Sequence, residues 1–207
     1  MRIIETKVYT FPELSETAKE AARDYARANW IYSDSNDWST AIEDAVTIGA
    51  IVGIEINGRA WTNSHGFKGS EPIIYFDLNR RELAVDAHYQ YKKGAAAAVR
   101  EYAPQDNKLH QIADALQEIQ KRHFYQLRAT MTPAGRSGMD QRVDVYRYDE
   151  KELSTGADMD LSDILTDFPQ WILKQLESDY EYQCTEEAVD DMLTAGGYEF
   201  DEDGNLI

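Results

Sequence analysis

Apolar residues recur along this chain at two spacings, every second residue or every three to four, and each change of spacing marks a new element. From Ile3 to Thr10 the positions alternate, Ile3, Glu5, Lys7 and Tyr9 against Ile4, Thr6, Val8 and Thr10, which predicts a strand with mixed faces ending at Phe11 and Pro12. Ser15 can cap a helix running to about Trp30, with Leu14, Ala18, Ala21, Ala22, Tyr25 and Ala26 on one side; so many alanines imply close packing against a neighbour. A polar turn, Ser33 to Asp37, precedes a second helix from Trp38 to Ile51, with Trp38, Ile42, Ala45, Ile48 and Val52 at helical spacing.

Val52 to Ile56 then reads as a short strand stopped by Asn57-Gly58, with Arg59 to Thr62 as its hairpin partner. After a glycine-bearing loop, Asn63 to Ser70, two more strands are predicted over Pro72 to Leu78 and Leu83 to Tyr91. Helices follow over Gly94 to Tyr102 and Leu109 to Phe124, the second with Leu109, Ile112, Ala113, Leu116 and Ile119 as its buried stripe. Phe124 to Met131 and Arg142 to Tyr148 form a strand pair across a flexible segment, Thr132 to Gly138. Leu161, Ile164, Leu165, Phe168, Trp171, Ile172 and Leu176 mark a strongly apolar helix that Pro169 should kink or divide. Thr185 opens a last helix, Gly196-Gly197 ends it, and Tyr198 to Phe200 with Leu206-Ile207 can close a small hairpin around Asp201 to Asn205. With no repeats and no low-complexity linker, the expected fold class is α+β: a single domain over residues 1–207, with a mostly antiparallel sheet flanked by about five helices.

Length and apolar content agree with that: 207 residues, 43% of them apolar, bury roughly 70% of the unfolded surface. The longest apolar run, Ala45 to Ile56, is broken by Thr47, Gly49, Gly53 and Glu55, so no segment is expected to span a bilayer. Met1 to Glu5 leads straight into a strand pattern and leaves no room for a signal peptide, so the expected compartment is the cytoplasm.

Charge changes the picture more. The formal net charge is −17, and residues 149–207 hold almost all of it, with eighteen acids against Lys151 and Lys174, a net of −16; the first 148 residues carry twenty acids and nineteen bases. Such a balance repels nucleic-acid phosphates and anionic membranes, so neither is expected as a direct partner. It favours a basic protein surface, or a groove that normally receives nucleic acid.

Candidate catalytic chemistry is sparse. His65, His88, His110 and His123 lie 23, 22 and 13 residues apart, so no two share a helical turn as a compact zinc site would require. Cys184 is the one cysteine, forms no intramolecular disulfide and reads as structural or incidental. Asp34, Asn36 and Asp37 read as turn and cap residues, Asp201 to Asn205 lacks the later ligands of a calcium loop, and Asn63 to Ser70 lacks phosphate-loop spacing. No cofactor and no metal is expected.

The acids are therefore the candidate site. Glu186 with Asp190, Glu187 with Asp191, and Asp163 with Asp167 are like charges four residues apart; each pair costs about 0.2–0.5 kcal/mol on an exposed helix, with no lysine close in sequence to relieve it. Part of this is offset for Glu186 and Glu187, which sit in a first helical turn where the dipole favours anions. Together with Asp158 and Asp160 they form the expected partner-binding array, carboxylates about 6 Å apart that a phosphate-binding groove could accept.

Three stretches carry a family resemblance. Tyr9 to Ala22 (YTFPELSETAKEAA), Trp38 to Ile56, and Trp171 to Tyr182 with Glu186 to Val189 and Tyr198 to Gly204 resemble a family of small, mostly uncharacterised proteins encoded by bacteriophages and prophages, some loosely labelled antitoxin-like. The segment Trp61 to Phe67 matches only partly the Gly- and Ser-rich aromatic segment of that family. The resemblance implies a phage origin, a bacterial cytoplasmic setting, and a protein that inhibits a host factor such as a CRISPR complex or another nucleic-acid-binding protein. An antitoxin that sequesters a partner toxin is the second binding expectation. The alternative from another class is a small enzyme acting on a nucleotide signal, with His65 and Lys68 near its site.

Overall fold

In the computed structural model, which describes residues 7–31 and 38–207, the chain's contacts gather into a terminal unit, Met1–Trp38 with Glu177–Ile207, and a central unit, Ser39–Leu176. The elements in chain order are β1 (Tyr9–Thr10), α1 (Glu16–Ala26), α2 (Ser39–Val52), β2 (Ile54–Ile56), β3 (Gly58–Thr62), β4 (Lys68–Pro72), β5 (Ile74–Asp77), β6 (Glu82–Val85) and β7 (Ala87–Gln90). They continue with α3 (Ala95–Tyr102), α4 (Asn107–Arg122), β8 (Leu127–Ala134), β9 (Asp140–Arg147), α5 (Ala157–Gln183), α6 (Glu186–Ala195) and β10 (Glu199–Phe200). The fold class is α+β, and every strand pairing among the described residues is antiparallel.

The main sheet belongs to the central unit and has the order β2-β7-β8-β9. Its period-two pattern sorts the side chains: Ala87 and Tyr89, Leu127, Ala129 and Met131 are buried, while His88 and Gln90 on β7 and Arg142, Asp144 and Tyr146 on β9 are exposed. Helix α4 packs on the buried side, and the contact is pinned by a polar residue. Gln120 is fully buried; its amide donates to the Leu127 carbonyl at 2.7 Å and the Tyr89 hydroxyl at 3.3 Å, and its carbonyl accepts from the Leu127 N–H at 3.3 Å. Those bonds satisfy groups whose burial without partners would cost about 1–3 kcal/mol each. Between α2 and β2, Gly53 adopts φ +90°, and a Cβ there would lie 2.2 Å from the Gln90 carbonyl oxygen, so only glycine lets the chain turn into the sheet at this point.

The segment between α2 and α3 pairs differently from the sequence expectation. Arg59–Thr62 is not the partner of β2: β3 pairs with β4, Thr62 facing Lys68, while β2 pairs with β7, Ile54 facing Tyr89. Gly58 is extended within β3, not in the left-handed conformation that a tight Asn-Gly hairpin needs, so the chain runs on instead of reversing. The expected loop Asn63 to Ser70 is correspondingly shorter, its last three residues being strand. The strand expected over Leu83 to Tyr91 is divided at Asp86, β6 pairing with β5 and β7 with β2 and β8. Each of the three chain passages thus changes partner at one residue, Asn57, Ile73 or Asp86, and these three hold one another. The Asn57 N–H donates to the Asp86 carbonyl (2.8 Å), Ile73 N–H to Asn57 (2.8 Å) and Asp86 N–H to Ile73 (3.0 Å), with the Asn57 side-chain amide on the Asp86 carboxylate at 2.5 Å.

Helix α5 runs unbroken for 27 residues through Pro169, so the expected division does not occur. The residues on both sides are held in the core: Leu161, Leu165, Phe168, Trp171, Ile172 and Leu176 are buried, and so is the proline ring itself. The Trp171 indole N–H also donates at 2.8 Å to Asp106, the residue whose other carboxylate oxygen caps α4. Packing on this scale outweighs the roughly 3 kcal/mol that an interior proline costs a helix.

In the terminal unit, the predicted strand is present over Tyr9–Thr10, with residues 1–6 outside the described residues, as is the whole polar turn Ser33 to Asp37. The Ser15 hydroxyl caps α1, accepting from Ala18 N–H at 3.2 Å, and a π-helical turn, Arg27–Ile31, extends the helix. The expected close packing on alanines is present for Ala18, Ala22 and Ala26, which join Phe11, Leu14, Val189, Leu193 and Phe200 in one apolar core, whereas Ala21 and Tyr25, expected on the same side, are exposed. The C-terminal hairpin closes through a Phe200–Leu206 bridge, and its first strand also pairs with β1. Gly204, at φ +87°, lies so close to α1 that a Cβ would be 2.1 Å from the Ala18 carbonyl oxygen.

Candidate docking surface

The structure redistributes the charge. Counted by unit, the terminal unit holds five bases and eighteen acids, a net of −13, and the central unit sixteen bases and twenty acids, a net of −4. The acids of residues 149–176 belong with the central unit, where bases from earlier in the chain meet them. Lys108 on α4 reaches Asp167 at 2.7 Å and Arg122 reaches Asp160 at 3.7 Å, both pairs about half exposed. The relief that was missing along the sequence comes from α4, 59 residues away for Lys108 and Asp167 and 38 for Arg122 and Asp160. Asp158 and Asp163 are exposed and make no ion pair among the described residues.

Helix α6 carries the other four predicted residues. The Thr185 hydroxyl caps it, accepting from Ala188 N–H at 3.3 Å, which places Glu186 and Glu187 in its first turn. Val189 and Leu193 bury one face, and that periodicity decides where each acid goes. Asp190 lies beside the buried stripe and takes a two-pronged pair from Arg23 of α1, Nε to Oδ1 at 2.7 Å and Nη2 to Oδ2 at 2.8 Å. The Arg23 guanidinium holds the Asp190 carboxyl below its ordinary pKa, and Asp190 in turn raises that of Arg23. Arg23 is only 8% exposed, lies 5.8 Å from the Phe11 ring centre and also bonds Glu20, so this pair is part of the unit's structure. Glu186, Glu187 and Asp191 are exposed and make no ion pair among the described residues.

Sequence reasoning did not single out Arg23 or Arg27. Arg27 donates to the Cys184 carbonyl at 3.3 Å, near the end of α5, and pairs with Glu20 and Asp24. The available signal was their spacing: two arginines four residues apart on the alanine helix, close to the only apolar face that α1 has.

The remaining candidates are dispersed. His65 and Lys68 sit at the tip of the β3-β4 hairpin, where every residue from Trp61 to Lys68 is exposed, without the desolvation on which an enzyme pocket depends. The Asn63 carboxamide oxygen accepts from the N–H groups of His65 and Phe67, both at 3.0 Å, and shapes the turn. His88 is exposed on the sheet, His110 bonds the Ala103 carbonyl at 2.9 Å, and His123 meets the Ser154 hydroxyl at 3.2 Å. Among the described residues no three potential ligands are grouped to hold a metal. Asp201 works as a turn residue: its carboxylate accepts from the Asn205 side chain and from the N–H groups of Asp203 and Asn205, which lowers its pKa. Cys184 is free and half-buried against the terminal core.

Residues 38–186 match a family described as a domain of unknown function, DUF8835. The chain belongs to the DUF8835 family. No curated protein and no solved structure matches the chain. The DUF8835 region takes in the whole central unit and stops at the first residue of α6. Asp158, Asp160, Asp163 and Asp167 therefore lie within the family region, whereas Glu187, Asp190 and Asp191 lie beyond it. No described helix is long and apolar enough to cross a membrane.

Proposed function

We propose that this DUF8835 protein is an acidic binding protein that docks on a basic partner and blocks it, the partner being a nucleic-acid-binding protein whose phosphate-binding groove the carboxylates occupy. The observation that carries the reading is the terminal unit's net charge of −13, with only one α6 acid, Asp190, committed to holding the fold. Glu186 and Glu187 remain open in the first turn of α6, where the helix dipole stabilises anions, and Asp191 remains open farther along the same helix. Asp158 and Asp163 are the open acids among the four predicted residues of α5. Like charges kept exposed at i and i+4 cost stability, and a binding role accounts for that cost. The resemblance of the chain's ends to phage-encoded proteins supports the same reading, with a bacterial defence or transcription factor as the partner and the cytoplasm as the setting.

The test separates charge from fold. Tagged protein carrying E186Q, E187Q and D191N is compared with the unaltered chain for capture of bacterial proteins at low and high salt, with circular dichroism confirming the fold. Loss of the captured partner in the amide variant, and its release by salt, is the expected result, since recognition by surface charge is screened within about 10 Å at 0.1 M salt. Capture that survives both changes would remove the acidic surface from the recognition.

A further inference from the structure

Strand β9 is the edge of the main sheet: it pairs with β8 through eight successive residues, Asp140 facing Ala134 to Arg147 facing Leu127, and no strand pairs with its other side among the described residues. Edge strands of this length are normally blunted by proline, a bulge or lysine, because their free N–H and C=O groups template pairing with another chain. β9 contains no proline, no glycine and no lysine, and its register with β8 advances in step without a bulge; what blunts it is charge, Asp140, Arg142 and Asp144 on the exposed side and Arg147, held by Asp149, at its end on the inner side. Its sequence, DQRVDVYR, alternates Asp140, Arg142, Asp144 and Tyr146 on the exposed side with half-buried Gln141, Val143, Val145 and Arg147.

From this edge we infer that two copies of the chain pair through antiparallel β9 strands about a twofold axis at Val143. An antiparallel pair with a twofold axis perpendicular to the sheet keeps the two faces matched only when a residue faces its own copy, so the possible registers are few. Charge selects among those that overlap more than half of the strand. An axis at Arg142 sets Arg142 against Arg142 and Asp140 against Asp144, and an axis at Asp144 sets Asp144 against itself. Directly opposed like charges are unfavourable in both. An axis at Val145 opposes Asp144 with Tyr146 and gains no ion pair.

At Val143 the strand is its own complement. Arg142 of each copy faces Asp144 of the other on the exposed side, Val143 faces Val143 and Gln141 faces Val145 on the inner side, and seven residues overlap. In the single chain Arg142 already turns to Asp144, Nη2 to Oδ1 at 2.9 Å, so both side chains lie on the face where the exchange would occur. The central unit's net of −4 opposes association far less than the terminal unit's −13 would, which favours this edge as the contact.

The mass in solution, followed by light scattering across a dilution series, tests this with the full chain. The unaltered protein is expected to approach twice 23.7 kDa as concentration rises. R142D and D144R each place two like-charge pairs across the junction and are expected to weaken the dimer about tenfold or more. R142D/D144R exchanges the signs within each strand, restores both opposed pairs, and is expected to recover the dimer; this recovery also shows that the single variants failed for charge and not for folding. A monomer at every concentration overturns the inference. So does a dimer indifferent to the single reversals, or one that the double exchange fails to rescue.

Discussion

Arg23 and Gln120 do more for this fold than their polarity suggests, and for one reason: each places a polar group inside a core together with every partner it needs. Gln120→Leu keeps the volume but strands the Leu127 N–H and carbonyl, and we expect it to lower unfolding free energy by about 2–3 kcal/mol, read from the urea midpoint at unchanged slope. Its neighbour Tyr89 has a phenol pushed up to about 12, chiefly by burial. Since the folded value is the raised one, this stabilisation is complete below pH 10 and is lost as pH rises from about 10 to about 12; absorbance titration should show one tyrosine ionising late. Asp190 has the opposite sign. Arg23 depresses its folded value, so the stabilisation is present above the unfolded carboxyl value of about 3.9 and fades as pH falls below it. Arg23→Met should remove that acid-sensitive part and cost about 1.5–3 kcal/mol, measured by urea unfolding at pH 7 and again at pH 3.

At the scale of elements, the three-way exchange of strand partners at Asn57, Ile73 and Asp86 is where local pattern and tertiary pairing part. Alternation predicted the extended segments within 54–90, but the partner of each strand depends on hydrogen bonds between distant residues, 29 apart for Asn57 and Asp86 and 37 apart for Gly53 and Gln90, which alternation does not encode. Asp86→Ala removes the acceptor of the Asn57 side chain. We expect faster amide hydrogen exchange in β5 and β6 with β8 and β9 unchanged, and a loss of about 0.5–1.5 kcal/mol. Helix α5 is the second case. Pro169→Ala regains about 3 kcal/mol of helix propensity and loses about 1.6 kcal/mol of buried ring methylenes, so the variant should be more stable by a net of about 1.4 kcal/mol, read as a higher denaturant midpoint. A lower midpoint would mean that the ring's packing is worth more than its backbone cost.

For the molecule as a whole, charge is the dominant fact. With −13 on the terminal unit, self-repulsion opposes its folding, and raising salt should raise its melting temperature as the repulsion is screened. A melting temperature that falls with salt would instead assign the larger share to that unit's surface pairs, Lys19 with Glu16 among them. By itself the sequence determined the α+β class, the positions of the helices with their Ser15 and Thr185 caps, and the excess of acids, because propensity, capping and composition act over a few residues or none. Only the tertiary structure decided which strands pair, that α5 continues through Pro169, and which carboxylates are spent on Arg23, Lys108 and Arg122 and which stay open. The physical reason is range: a hydrogen bond or ion pair between residues 167 apart in the chain, as for Arg23 and Asp190, leaves no periodic trace along it.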